Sequence, residues 1–344
     1  MMRTMRSSTS SSVGATPSRD ARRWRRFAWT FALALAVLLA GLTGGLVLLD
    51  PYDTGRFTLL SARGVAEGPP WQVNASRARD QRFDSVVVGN SRMQMLEPER
   101  LDRLTGRRFV NLSVLRSGPL EEQPVFETFL RHHRAPRAAV IGVDELWCRP
   151  QQKRGSQFPY WLYSASNQEY LHGLVRYQAV EQMMRRLSAL YGGAEMARPD
   201  GYWDYTTVYL GKTGAQAKQD AMKSSASRPV DTDNPDRVFP AMTILGDMLA
   251  ALPASTQTVL AWPPTHINFQ PQPHSLAEAV LNQCKAQIRD IASRHPNVTF
   301  LDWGGDRPVN RDPANFHDEI HFRKNLAGQF ADAIGAVLAA KLTR

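Results

Sequence analysis

From Ser85 onward the chain alternates short apolar runs with longer segments whose apolar residues recur every three or four positions, and this alternation restricts the fold more than any other feature. The short runs are Ser85–Val88, Phe109–Leu112, Ala138–Val143 (AAVIGV), Thr258–Trp262 (TVLAW) and Asn297–Leu301. Their β-branched and aromatic content, and their length, predict strands. Pro98–Thr105, Leu120–His133, Arg237–Ala251, Leu276–Arg294 and Arg323–Leu342 predict helices. Val125, Phe126, Phe129 and Leu130 share one face of the second, and Ala331, Ile334, Val337 and Leu338 line the last. Strands alternating with helices specify a mostly parallel sheet covered on both faces, an α/β/α sandwich of three layers.

The region before this alternation has a different character. Phe27 to Leu49 is 23 residues without a charge, long enough as a helix to cross a bilayer. A cleaved signal peptide is the competing reading, but the run exceeds the usual apolar region and no clear small-x-small site precedes Asp50. Trp24 and Trp29 near one end and Tyr52 near the other suit the two interfaces. The formal net charge is +10, and its distribution argues against nucleic acid. Residues 1–26 carry seven Arg against Asp20, a net +6, which leaves +4 for the other 318 residues. Those arginines place residues 1–26, read as a disordered tail, in the cytoplasm and the bulk of the chain outside it. Residues 50–82 read as a juxtamembrane connection broken by Gly and Pro.

Two cysteines, Cys148 and Cys284, exclude a cysteine-built metal site. In an oxidising compartment they pair; as separate buried thiols they do not, and the sequence leaves both open. From about 149 to 236 the alternation is interrupted by an aromatic-rich segment that thins into the polar AKQDAMKSSASRPVDTDNPD. It reads as a lid over the sheet end or as a packed subdomain with no part in the chemistry. Tyr160, Trp161, Tyr163, Trp203 and Tyr205 are candidates for a carbohydrate-stacking surface, with lid packing as the plain alternative.

Parallel sheets gather their chemistry at the carboxyl ends of the strands. There this chain offers Asn90 and Ser91, then Ser117 and Gly118, then Asp144, then His266, and finally Asp318 and His321 in NFHDEIHF. Ser91, His321 and Asp318 supply the nucleophile, base and orienting acid of a serine hydrolase, and the Ser91 and Gly118 N–H groups are candidate oxyanion donors. His266, His274 and His317 read as exposed loop histidines, and two histidines flanking Asp318 do not make a metal site.

The segments VVVGNSR, NLSVLRSGPLEE, VIGVDELW and DEIHF, in this order, resemble the SGNH (GDSL-like) hydrolases. The likeness covers residues 83–144 and 257–340. A membrane anchor before such a domain resembles the SGNH-type proteins of bacterial cell-surface polysaccharide acetylation and teichoic acid alanylation. The resemblance implies a flavodoxin-like sandwich over residues 83–344, no metal or cofactor, and Ser91, His321 and Asp318 as triad with Gly118 in the oxyanion hole. Two positions depart from the family pattern. Asn90 stands where Asp is usual, and Asp144 stands where an Asn amide usually donates to the oxyanion, which an ionised Asp cannot do. Asn90 is then an alternative side-chain donor.

Two functions are expected on this basis. One is a single-pass protein of the bacterial cytoplasmic membrane whose outer domain is an acyl esterase or O-acyltransferase for a cell-envelope ester or glycan. The other is a non-catalytic, glycan-binding accessory subunit of a membrane acyltransferase.

Overall fold

The computed structural model describes residues 19–59, 62–206 and 234–340. Two units emerge from the internal contacts, Met1–Leu46 and Val47–Arg344. Helix α1 (Arg19–Leu49) carries the uncharged run and is long and apolar enough to cross a membrane. Its 31 residues span ~46 Å at about 1.5 Å each, against about 30 Å of hydrocarbon. Arg19 to Arg26 are therefore helical and not part of a disordered tail; residues 1–18 lie outside the described residues.

After α1 come α2 (Pro70–Ala78), β1 (Ser85–Val88), α3 (Pro98–Thr105), β2 (Phe109–Asn111), α4 (Pro119–His132), β3 (Ala138–Gly142), α5 (Tyr160–Tyr163), α6 (Asn167–Leu174) and α7 (Tyr177–Leu190). The described chain continues with α8 (Ala241–Ala250), β4 (Gln257–Trp262), α9 (Leu276–Ser293), β5 (Val298–Asp302), α10 (Pro308–Arg311) and α11 (Lys324–Ala340). All strand pairings are parallel, in the order β2-β1-β3-β4-β5. This is the flavodoxin-like order, and its topological switch lies between β1 and β3, so the loops after these two strands flank the crevice where such sheets hold ligands.

Residues along each strand alternate between two apolar layers. Val87, Val140, Val259 and Ala261 join a core with Leu101 of α3 and with Leu326, Phe330, Ile334 and Leu338 along one stripe of α11. Their neighbours Val86, Val88, Ile141 and Leu260 are equally buried and face the opposite layer, which contains α4, α8 and α9. Burial on both faces explains why the strands read as unbroken Val, Ile and Ala runs. Ser275 starts α9 by accepting the Glu278 N–H at 3.1 Å, while Glu278 accepts the His274 N–H at 2.6 Å, a reciprocal cap.

Residues 50–82 form more than a connection. They contain α2, which packs on α4, and they are held by the aromatic-rich insertion. Arg186 of α7, 1% exposed, donates to the carbonyls of Leu49, Asp50, Ala62 and Gly64 and to Asp53 Oδ1. Tyr170 donates to Asp50 Oδ1 at 3.0 Å, Trp161 meets Tyr52 edge to face, and Ala66 bridges Met196. Most of the described insertion is thus a subdomain packed around this neck. Residues 207–233, including most of its polar tail, lie outside the described residues.

Cys148, in a 3-10 turn after β3, forms a disulfide with Cys284 of α9, so the pairing left open by the sequence is made. The bond closes a span of 136 residues. Replacing both cysteines by serine should lower the unfolding free energy by about 3–5 kcal/mol. Thermal melts with and without reductant check this: reductant should destabilise the natural protein and leave the double variant unchanged.

Candidate active site

At the end of β1 the backbone turns sharply at Gly89. A Cβ there would lie 2.5 Å from Met93 Cγ and 3.3 Å from Gly142 Cα, so only glycine lets β1 and β3 end this close around Met93. The following turn is tied by Met93 N–H donating to Asn90 O at 3.0 Å. Asn111, at the end of β2, donates its side-chain amide to Met93 O at 2.8 Å and Leu96 O at 3.0 Å, fixing the turn from the neighbouring strand. Ser91 is left half-buried at the carboxyl end of β1.

His321 arrives on a loop near the C-terminus that largely builds itself. Phe316 and Phe322 are fully buried and bridge one another, and His317 N–H donates to His321 O at 2.7 Å. Inside this narrow loop Asp318 Oδ1 accepts the N–H groups of Ile320 at 3.1 Å and His321 at 2.8 Å, an Asx turn that aims the carboxylate. His321 Nδ1 lies 2.9 and 3.0 Å from the two Asp318 oxygens, and His321 Nε2 lies 2.9 Å from Ser91 Oγ. With Nδ1 protonated and donating to Asp318, Nε2 is free to accept the serine proton. Tyr205 packs nearly perpendicular to the imidazole, with ring centroids 5.5 Å apart, and donates its hydroxyl to Phe322 O at 3.3 Å.

Ser91 and His321 open into a cavity of about 550 Å³, walled by Trp71, Leu115, Arg116, Ser117, Phe158, Trp203 and Tyr205 among others. Trp203 and Tyr205 are held there by a loop that docks on β2. Asn111 N–H donates to Asp200 O at 2.8 Å, and a Cβ on Gly201, whose φ is +75°, would collide with Asn111 O. Trp161 lies elsewhere. It packs against Gly173 and Tyr52 and stacks with Arg176, so it belongs to the neck and not to a sugar platform. Tyr160 donates its hydroxyl to Glu121, and Tyr163 is buried with its hydroxyl on Trp71 O, so neither ring lines the cavity.

The oxyanion expectations also change. The Gly118 N–H donates to Glu121 Oε2 at 3.0 Å, closing the start of α4, and is therefore committed. Asn90 is turned away, its amide donating to Asp144 and its Oδ1 accepting the Arg92 N–H at 3.1 Å. Among the described residues nothing accepts from the N–H groups of Ser91, Arg116 or Ser117, all of which line the cavity. Asp144 does not line it. Asp144 accepts the Leu146 N–H at 2.8 Å and lies 2.5 Å from Arg92 Nη2, which is also 2.7 Å from Glu145. Burial disfavours the Arg92 cation, but the carboxylates of Glu145 and Asp144 outweigh it and raise its pKa. The Asp144 charge is thus neutralised behind the serine, outside the cavity.

His266 and His317 are buried, contrary to the exposed loops expected; His274 is exposed. His266 Nδ1 accepts the Asn268 N–H at 3.3 Å, and its ring meets Phe316 edge to face. Burial, then the Arg323 charge, push His317 down to about 4. No group of three or more metal-ligating side chains is gathered among the described residues. Trp71 was hidden in the presumed connection, although Pro70 at the first helical position signals the helix that carries it. No protein-family model matches the chain, and no curated protein matches it either.

Replacing Arg92 with Met strands two buried carboxylates and should cost about 3–5 kcal/mol in denaturant unfolding, part of which Asp144→Asn in the same chain should restore. His317 has a folded pKa of about 4, below its ordinary value of about 6.5. The unfolded chain therefore binds this proton first, and stability present above that ordinary value falls as pH drops toward the folded one. Thermal midpoints measured across that window should fall less steeply in His317→Gln.

Proposed function

We propose that the chain is a serine acyl esterase or O-acyltransferase, anchored in the bacterial cytoplasmic membrane by α1 and acting on a cell-envelope ester or acylated glycan outside it. The observation that carries this reading is the relay from Ser91 Oγ through His321 to Asp318, with both contacts at 2.9 Å, opening into a cavity at the switch point of the sheet. The resemblance of GNSR and DEIHF to the SGNH hydrolases supports the same chemistry. The Cys148–Cys284 disulfide suits an oxidising compartment, and the arginines before α1 suit a cytoplasmic N-terminus.

In this reaction Ser91 Oγ attacks the acyl carbonyl carbon as His321 Nε2 takes its proton. Asp318 holds the imidazole and stabilises the imidazolium. The N–H group of Ser91 faces the negative charge on the carbonyl oxygen, in place of the committed Gly118. Collapse breaks the bond to the alcohol, which leaves with the proton from His321, and an acyl-Ser91 ester remains. Water or a sugar hydroxyl then attacks the ester, giving its proton to His321, and Ser91 recovers its proton as the product leaves.

A fluorophosphonate should label the natural protein at Ser91 and leave Ser91→Ala unlabelled. Asp318→Asn should slow labelling by about 10³–10⁴-fold through loss of the imidazole tautomer. Absence of labelling in the natural protein, or equal labelling of Ser91→Ala, overturns the catalytic reading. The second reading, a non-catalytic glycan-binding partner of a membrane acyltransferase, draws on Asp144 standing where an amide donor is usual. It requires Ser91→Ala to restore full function to a deletion strain.

A further inference from the structure

A second cavity, of about 570 Å³, adjoins the first, and the two share Arg116, Ser117, Glu121 and Gly155 in their walls. The loop that follows β3 brings Arg149 and Lys153 into the wall of this second space together with Arg116. All three cations are exposed, and among the described residues none has a carboxylate within ion-pair distance. Several other arginines of the unit are paired, Arg92 with Asp144 and Glu145, Arg100 with Asp332, Arg186 with Asp53 and Arg198 with Asp200, whereas these three converge unpaired on one concave wall.

Glu121 is the acid in this wall, and its oxygens are already engaged. Oε2 accepts the Gly118 N–H at 3.0 Å; Oε1 accepts the Gly155 N–H at 2.8 Å and the Tyr160 hydroxyl. It is therefore a brace between α4 and the 155 loop, and among the described residues it makes no ion pair with the cations. Arg116 adds a second, independent mark. Its φ is +57°, a left-handed conformation that costs a non-glycine residue about 1 kcal/mol. Successive N–H groups around such a residue form a concave nest for anions, and those of Arg116 and Ser117 have no acceptor among the described residues.

We propose that this second cavity is a subsite for an anionic group, a carboxylate or a phosphate, carried by the glycan whose ester lies at Ser91 or by the hydroxyl acceptor. Its meaning as a substrate subsite rests on the serine reading; its affinity for anions does not. An extended polymer occupying both cavities would place a charged unit against Arg116, Arg149 and Lys153 while a neighbouring acylated unit faces Ser91. The low net charge beyond residue 26 then understates its preference, because three exposed cations without an ion-pair partner among the described residues stand together beside Ser91.

The test uses the full chain in detergent micelles carrying Ser91→Ala, so that no ligand is consumed. Oligogalacturonate, oligo(glycerol phosphate) and a neutral oligoglucan of equal length are titrated by calorimetry. At least one anionic oligomer should bind about tenfold more tightly than the neutral one, and the preference should shrink on raising NaCl from about 50 to about 300 mM. The two anionic arms distinguish carboxylate from phosphate. Arg149→Gln with Lys153→Gln should abolish the preference without shifting the thermal midpoint, since both side chains are exposed and have no ion-pair partner among the described residues. Equal affinity for charged and neutral oligomers, or a preference that survives the double substitution, overturns the subsite. Fluorophosphonate labelling of the protein with Ser91 intact separates the two readings. Labelling without anion preference removes the subsite alone; anion preference without labelling supports the subsite and removes the catalysis.

Discussion

Arg92 bound between Asp144 and Glu145 is the interaction on which the site depends. It follows Ser91 directly, so the restraint on its side chain is a restraint on the serine's backbone. The two carboxylates belong to the loop after β3, so the ion pair spans the two strand ends that diverge at the switch point of the sheet. Burial makes it stringent. At 2% exposure the guanidinium has little water to fall back on, and each carboxylate would be costly without it. The same bond gives Asp144 a structural partner and keeps its charge out of the cavity. The departure from the expected amide at this position is therefore offset from behind by Arg92.

The three-layer fold was legible because its signals are periodic and redundant. Five β-branched runs alternate with amphipathic helices, and an error of one or two residues at any boundary leaves the order of elements intact. Ser91, His321 and Asp318 were legible for a different reason: each sits beside a strand end or in a short loop whose position follows from that order. Failures occurred where burial is decided by distant chain. Residues 50–82 look like linker by composition, yet Arg186, more than a hundred positions later, supplies donors to several carbonyls there and to Asp53. The aromatic cluster at Tyr160 to Tyr163 has the composition of a sugar platform and the composition of a small core, and no local pattern separates the two. His266 and His317 are polar residues in loops, but Phe316 and Phe322 pull the second loop into the core and carry His317 with them. For Gly118 the signal was present, since a Glu three positions into a helix is placed to accept the N–H that precedes it.

The charge pattern illustrates the same division. A net count over the chain beyond residue 26 says little about ligands, because many arginines there are consumed by internal carboxylates or by carbonyls such as those around Arg186 and Arg77. Which cations remain available is a three-dimensional property, and here three of them, Arg116, Arg149 and Lys153, line a cavity that shares a wall with the one at Ser91.

The loop from Phe316 to Phe322 has a consequence for how the site comes into being. His321 and Asp318 are three residues apart and orient one another through contacts that close within seven positions, so this half is low in contact order and requires only its own segment. The serine is 230 residues away, and its contact with His321 exists only when the first strand of the sheet and the segment after the last have been brought together. Loop-closure entropy opposes that contact more than any other in the relay. The Ser91–His321 contact is consequently a built-in marker of completed folding, absent from any species that has formed its local turns and not yet joined these two segments.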